Sequence, residues 1–420
     1  MGLNHTPSAE RIHIGIFGRR NAGKSSLINA LTGQSLAIVS DVSGTTTDPV
    51  YKAMELLPLG PVVMIDTPGI DDEGELGRLR VQKSYQVLNK TDIAVLVINA
   101  ADGVTREDLA LLSRIREKGL AWMLVLNKSD LLEERLEIAL EEVVKAVAER
   151  LGVDCETCRT SVIAVSAAKG EQIYELKEKI ASLVPEKKPE FPIVADLLEP
   201  SDFVVLVVPI DKAAPKGRLI LPQQQTIRDI LEANAAAIVV KETELAQTLK
   251  EIGKKPKMVI TDSQVFGRVS KETPKDVLLT SFSILFARYK GELRDLVEGV
   301  RALGELKEGD KVLISEGCTH HRQCDDIGTV KMPRWISDFT GVHPEFVFTS
   351  GGEFPAELSD YKMIVHCGGC VLNEREMKYR IACARDAGVP MTNYGIAIAY
   401  MNGILKRSLE VFPYIWKLLP

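Results

Sequence analysis

The most explicit chemistry in the sequence lies near its start. Gly18-Arg19-Arg20-Asn21-Ala22-Gly23-Lys24-Ser25 fits the spacing G-x-x-x-x-G-K-[ST], between a run that reads as a strand and one that reads as a helix. The glycines let backbone N–H groups wrap phosphate oxygens, with Ala22 and Ser26 on the same wrap, and the helix N-terminus adds positive potential. Lys24 reaches the β- and γ-phosphates, and Ser25 offers its hydroxyl to Mg²⁺. A second apolar run ends in Asp66-Thr67-Pro68-Gly69, where the carboxylate can hold the Mg²⁺ shell through water and the Gly69 N–H can meet the γ-phosphate. Lys24, Ser25, Asp66 and Gly69 are therefore the expected phosphate-transfer residues. Two later runs end in Asn127-Lys128-Ser129-Asp130 and Ser166-Ala167-Ala168-Lys169-Gly170. A carboxylate at Asp130 accepts from the N1–H and exocyclic amine of guanine, whereas adenine presents an acceptor at N1 and leaves the charge unpaired. Lys128 can lay its stem on the base, Asn127 can tie this loop to the phosphate loop, and the Ala167 backbone can address O6. The bland alternative for Asp130 is a helix N-cap before Leu131.

A second concentration of reactive residues lies after residue 300. Cys318-Thr319-His320 follows one apolar run, and His366-Cys367-Gly368-Gly369-Cys370 follows another. If both runs are parallel strands, their carboxyl ends bring the motifs together. Two glycines between Cys367 and Cys370 let both sulfurs face one ion or cluster and leave N–H groups to bond sulfide. Zinc with Cys₃His ligation, completed by His320 or His366, and a [4Fe–4S] cluster on Cys318, Cys367 and Cys370 both satisfy this spacing. Cys155 and Cys158 form another C-x-x-C, read as an exposed loop; Cys383 reads as core, and Cys324 as a spare thiol near the cluster. His321 and His343 read as surface or neighbouring groups. Phe412, Tyr414 and Trp416 read as packing for the last helix.

The elements that must position these groups alternate throughout. Strands are expected at 12–17, 62–65, 93–98, 123–126 and 162–165, each ending in one of the polar turns or a glycine-rich one. The proline-rich stretch 185–192 breaks the pattern. A second alternation comes next, with strands at 203–208, 237–240 and 258–261 and helices at 223–233 and 242–252. A third has a helix at 285–302, strands at 311–315 and 362–366, a helix at 373–387 and a strand at 389–392. The expected fold class is α/β: a P-loop domain with a parallel sheet over 1–184, an α/β module over 185–280 that reads as packing or self-association, and a third α/β module over 281–420 that carries the thiol motifs. With 420 residues, a net charge of −6 and 45% hydrophobic content, the chain suits several buried cores and disfavours a nucleic-acid coat. No stretch has the length and apolarity of a membrane span or signal peptide, so a cytoplasmic protein without membrane or nucleic-acid partners is expected. Seven cysteines, an odd number, argue against a disulfide framework.

The four nucleotide motifs, in this order, resemble the translation-factor-related GTPases, and among them the tRNA-modification and ribosome-assembly branch. Gly44-Thr45-Thr46-Thr47-Asp48 resembles that branch's Gly-Thr-Thr-Arg-Asp switch, which puts Thr46 at the position of the Mg²⁺-binding threonine; Thr47 replaces the usual arginine. Asn21 matches the asparagine that helps bind K⁺. Ile70 follows Gly69 where Ras-like proteins carry a water-orienting glutamine. The resemblance implies slow, K⁺-stimulated hydrolysis of GTP.

Adding Cys318-Thr319-His320 and His366 to Cys370, the whole chain resembles the [FeFe]-hydrogenase maturation GTPases. That resemblance implies a [4Fe–4S] cluster on Cys318, Cys367 and Cys370, with His320 and His366 nearby and a homodimer formed through the middle domain. It also implies a carrier that receives a diiron precursor bearing CO, cyanide and a dithiolate bridge, works with radical-SAM maturation enzymes and delivers to the apo-hydrogenase. His320, His366, Glu353 or water are the candidates for the fourth ligand. Two other functions stand beside it: an RNA-associated K⁺-dependent GTPase with a structural zinc module, whose only basic candidate is Lys250 to Lys257, and a metal-independent switch.

Overall fold

The run Ile12–Phe17 (β1) is buried along almost its whole length and therefore needs a strand on each side and a helix layer on each face. The computed structural model describes residues 10–33, 49–70, 84, 86–184, 191–210, 219–290, 293–317, 326–351, 353–355 and 357–417, and the chain divides into two units, Met1–Lys187 and Lys188–Pro420. In the first unit β1 joins Val50–Leu56 (β2), Gly60–Asp66 (β3), Ile93–Asn99 (β4), Ala121–Asn127 (β5) and Val162–Val165 (β6) in the order β2-β3-β1-β4-β5-β6. All pairings are parallel except β2 with β3, so the sheet is mixed, where a parallel one was expected. The difference is an edge strand whose sequence, VYKAMEL, is largely exposed and gives no apolar run to read.

The helices Lys24–Thr32 (α1), Arg106–Glu117 (α2), Leu136–Leu151 (α3) and Ile173–Ser182 (α4) belong to the same unit. One apolar cluster, around Phe17, Leu96, Leu111 and Val147, takes α2 and α3; the other, around Ile14, Leu27, Val95 and Ile180, takes α1 and α4. A capping box starts α2: Asp108 N–H donates to Thr105 Oγ1 at 3.4 Å and Thr105 N–H to Asp108 Oδ2 at 3.0 Å. The expected loop at Cys155 and Cys158 is instead a short helix, Cys155–Thr160, because Asp154 caps it by accepting from Thr157 N–H at 2.7 Å. Cys158 is buried and Cys155 exposed, so one i, i+3 turn points the two thiols to different environments.

In the second unit two four-stranded parallel sheets share one continuous core running from Ile193 to Ile415. The first contains Phe203–Val207 (β7), Ala236–Val240 (β8), Met258–Thr261 (β9) and Leu278–Ser281 (β10), ordered β10-β9-β7-β8; the second contains Lys311–Ser315 (β11), Glu345–Thr349 (β12), Met363–His366 (β13) and Met391–Asn393 (β14), ordered β12-β11-β13-β14. The helices Phe282–Tyr289 (α5), Glu374–Asp386 (α6) and Tyr394–Met401 (α7) each add buried side chains to that core. α7, YGIAIAYM, is apolar nearly all round, as a helix packed on every side must be. At Gly395 a Cβ would stand 2.3 Å from Ser283 Cβ, so the glycine is what allows α7 to approach α5. Arg407 donates to the carbonyls of Ser270 at 2.7 Å and Thr273 at 2.9 Å, a further tie between the C-terminal segment and the first sheet. The single helix expected over 285–302 is broken: α5 ends at Tyr289, Lys290 caps it, and helix resumes at Leu293–Gly299 before a 3₁₀ turn at Val300–Glu305. Glycine follows Lys290 in the sequence, which disfavours continuation. Among the described residues no helix is long and apolar enough to cross a membrane.

Candidate functional site

The phosphate loop runs from the carboxyl end of β1 into α1. Gly23 adopts φ 88°, and a Cβ there would lie 2.2 Å from Asn127 Nδ2; a Cβ at Gly18 would lie 2.1 Å from the Val97 carbonyl oxygen. Both glycines are thus demanded by the close approach of β4 at Val97 and of β5 at Asn127. Asn21 holds φ 58°, an uncommon left-handed conformation for a residue with a side chain. Lys24 folds back over the loop, its ammonium donating to Gly18 O at 2.9 Å and Arg19 O at 2.8 Å. This places a cation on the concave side of the backbone amides, where phosphate charge is best compensated.

Ser25 Oγ donates to Asp66 Oδ2 at 2.8 Å. The other oxygen, Oδ1, is buried and has no hydrogen-bond partner among the described residues. Burial pushes the Asp66 carboxyl above its ordinary range, against the Ser25 hydrogen bond and the Lys24 charge, which hold it down. A hydroxyl and an under-coordinated carboxylate side by side fit Mg²⁺, an oxygen-seeking ion that keeps several waters. Thr67 Oγ1 donates to Ile16 O at 2.7 Å and locks the turn that leads to buried Gly69 and Ile70. Thr46 lies outside the described residues.

Asn127, at the end of β5, joins three loops. Its Nδ2 donates to Ala22 O at 3.0 Å and Gly23 O at 3.3 Å, and its Oδ1 accepts from Ala167 N–H at 3.1 Å. The Ala167 N–H expected to address O6 is engaged here by Asn127. Lys128 takes a left-handed turn at φ 63°, and Asp130 sits half-buried in the 3₁₀ turn Ser129–Leu131. Asp130 is no cap for a following helix, since α3 starts only at Leu136. Ser166 is fully buried and accepts through Oγ from Lys169 N–H at 3.2 Å. Ser26 is half-buried on the first turn of α1.

The second site is built by β11 and β13, which pair in parallel with Ser315 opposite His366. Their carboxyl ends therefore leave the sheet side by side. Gly317, the residue before Cys318, donates its N–H to Cys367 Sγ at 3.1 Å, and Gly369 N–H donates to the same sulfur at 3.3 Å. Burial pushes the Cys367 thiol up, and these two N–H groups hold it down. Gly369 turns at φ 58° against Met377, where a Cβ would meet Sδ at 2.6 Å. Cys318, His320, His321 and Cys324 lie outside the described residues, and among the described residues no group of three or more His, Cys, Asp and Glu side chains gathers to hold a metal. A sulfur that receives two amide N–H groups fits a thiolate ligand of a cluster or of zinc.

His366 is fully buried and engaged at both ring nitrogens. Arg380 Nη1 donates to Nε2 at 3.0 Å, which leaves the proton on Nδ1, 2.6 Å from the Cys367 carbonyl oxygen. Burial first and Arg380 second pull its pKa down to about 3, so the ring is neutral. Arg380, itself 0% exposed, also pairs with Glu376 at 2.9 Å and donates to Ser315 Oγ at 3.3 Å and Gly351 O at 2.8 Å. Glu353 is exposed and its N–H bonds Ser350 O at 3.3 Å. Sequence reasoning missed Lys290, whose ammonium donates to the carbonyls of Gly369 and Leu372. It also missed Arg380 and the buried pair Tyr394–Glu316, in which Tyr394 OH donates to Glu316 Oε1 at 3.2 Å. A charged residue ending or lying within a helix reads as solvated surface, and only the tertiary packing buries it.

Fold and site together define a P-loop GTPase module followed by two parallel α/β modules, the last carrying a Cys-Gly-Gly-Cys turn at the carboxyl end of its interior strand β13. Residues 13–128 match the family described as 50S ribosome-binding GTPase, 193–291 the hydrogen maturase F dimerization domain, and 294–411 the hydrogen maturase F tetramerization domain. The two maturase segments together account for more than half of the sequence, and the chain belongs to the hydrogen maturase F (HydF) family. Among curated relatives, GTPase Der of Microcystis aeruginosa is 35% identical over 201 residues, 46% of this chain and 43% of that protein. The tRNA modification GTPase MnmE of Clostridioides difficile is 34% identical over 170 residues, 40% of this chain and 34% of that protein. The chain thus spans less than half the length of these relatives. A crystal structure of an Era variant from Aquifex aeolicus bound to GDP and aluminium fluoride aligns with TM-score 0.37 at 21% identity, covering 57% of this chain and 98% of that one.

Proposed function

We propose that the chain is a GTP-hydrolysing scaffold and carrier that holds a [4Fe–4S] cluster on Cys318, Cys367 and Cys370 and delivers the diiron precursor of the [FeFe]-hydrogenase active centre to the apo-hydrogenase. The observation that supports this most is Gly317 N–H on Cys367 Sγ at 3.1 Å, which sets the residue before Cys318 against the other thiol motif, in a chain with both hydrogen maturase F modules. A cluster supplies an iron with an exchangeable coordination position, which suits a carrier that must bind and release cargo. Since both nitrogens of His366 are used by Arg380 and the Cys367 carbonyl, its part is to orient the end of β13 while other groups serve as fourth ligand.

In the nucleotide module Lys24 compensates the phosphate charge, Ser25 and Asp66 hold Mg²⁺ with Thr46, and the Gly69 N–H meets the γ-phosphate. Asp130 selects guanine. Asn21 helps bind K⁺, and with Ile70 in place of a water-orienting side chain the GTP-to-GDP step is slow. GTP state then alters contacts with partners, among them the radical-SAM maturation enzymes and the apo-hydrogenase, in the cytoplasm. The segments 185–280 and 281–420 assemble copies of the chain, the dimerization and tetramerization descriptions supporting an assembly larger than the homodimer expected from the sequence.

Anaerobic reconstitution with iron and sulfide tests the reading. The full chain is expected to turn brown, and Cys367→Ser to lose most of its iron. A colourless protein with stoichiometric zinc would instead establish the structural-zinc GTPase.

A further inference from the structure

Lys290 caps α5, its N–H bonding Phe286 O at 3.0 Å, and only 8% of the residue is exposed. Its ammonium donates to the carbonyl oxygens of Gly369 and of Leu372, the latter at 3.2 Å. These two carbonyls flank Cys370 within the turn that carries both thiols. Burial pulls the Lys290 pKa down to about 8, against the charges of Cys370, Cys367 and Glu374, which hold it up. Taking an ammonium out of water is costly unless charge and hydrogen bonds compensate it. Carbonyl dipoles supply hydrogen bonds, whereas the nearby thiols become anionic once they ligate a metal.

We propose that Lys290 is a positioning residue for the thiol turn: its ammonium clamps the Gly369 and Leu372 carbonyls and sets a positive charge beside the metal centre that Cys367 and Cys370 hold. The inference rests on the cluster reading under Proposed function. Lys290 lies within the segment matching the dimerization domain and the turn within the segment matching the tetramerization domain, so the clamp also ties the two modules together. A positive charge beside an anionic cluster favours the reduced form, which carries one more negative charge.

Lys290→Gln keeps a hydrogen-bond donor and removes the charge; Lys290→Arg keeps the charge. In the reconstituted full chain, Lys290→Gln is expected to retain iron while its reduction equilibrium moves at least tenfold toward the oxidised form, about 59 mV for one electron. Lys290→Arg is expected to restore most of that shift. An unmoved potential in Lys290→Gln, or equal shifts in both variants, overturns the proposal. Should Lys290→Gln lose its iron, amide hydrogen exchange at 368–373 in the metal-free full chains decides. Faster exchange in the Gln than in the Arg variant supports the clamp, and wild-type exchange in both overturns it. If wild-type protein takes up no iron, the cluster reading falls while the exchange comparison still judges the clamp.

Discussion

Asp66 has two carboxylate oxygens and the protein uses one: Oδ2 accepts from Ser25, while Oδ1 is buried without a partner among the described residues. A buried acceptor left this way costs stability, which makes it a mark of a site built for something the chain itself does not supply. Lys24→Ala removes the cation that lies over Gly18 and Arg19. Steady-state turnover should fall about 100-fold or more, since positioned charge is the main source of phosphoryl-transfer catalysis, and iron content should be unchanged. Asp130→Asn should narrow the preference for guanine over inosine nucleotides by about tenfold or more in competition binding, as expected for loss of charged hydrogen bonds to the exocyclic amine. Turnover in K⁺ should exceed that in Na⁺; equal rates would remove the role assigned to Asn21.

At the level of elements, the thiol site depends on α6 as much as on the strands. Arg380 and Glu376 are i, i+4 on that helix, both buried, and Arg380 reaches Ser315 on β11 and His366 on β13. Arg380→Met leaves the Glu376 charge buried and unpaired, which should cost about 3–5 kcal/mol in denaturant unfolding, and a second change, Glu376→Leu, should recover much of it. No recovery in the double variant would mean that the bonds to the strands outweigh the ion pair. The strands that sequence periodicity locates best are those buried on both faces, β1, β6, β9 and β11, whose bounds are as read. It misses β2 and β12, edge strands with exposed positions, because half-solvated strands carry Lys, Glu and Phe without a continuous apolar run, and it misses buried β10, a four-residue strand that runs straight into α5. It also merges α5 with the helix after it, because apolar spacing continues across the break. The phosphate loop and both thiol motifs are legible because they are contiguous. Lys290, Arg380 and Glu316 are not, since their roles depend on burial by elements distant in sequence.

On the scale of the whole molecule, 188–420 has one core shared by two sheets, whereas Met1–Lys187 has cores of its own. A fragment spanning 188–420 should therefore fold alone, unfold in a single transition and retain the iron of the full chain, because one continuous core couples its halves. A fragment spanning 281–420 exposes the apolar surfaces of α5 and α7 and should aggregate. Two separate transitions in 188–420 would show instead that its two sheets are independent domains.

The thiol turn, which we propose to hold iron and sulfide, is what sets this chain apart from a plain GTPase. Iron, sulfide and zinc analysis, with electron paramagnetic resonance on the reduced, anaerobically reconstituted full chain, bears on that turn without an intervening step. About four iron and four sulfide per chain are expected, with little zinc and a reduced-cluster signal that disappears in Cys367→Ser. One zinc per chain, no sulfide and no signal would contradict the cluster.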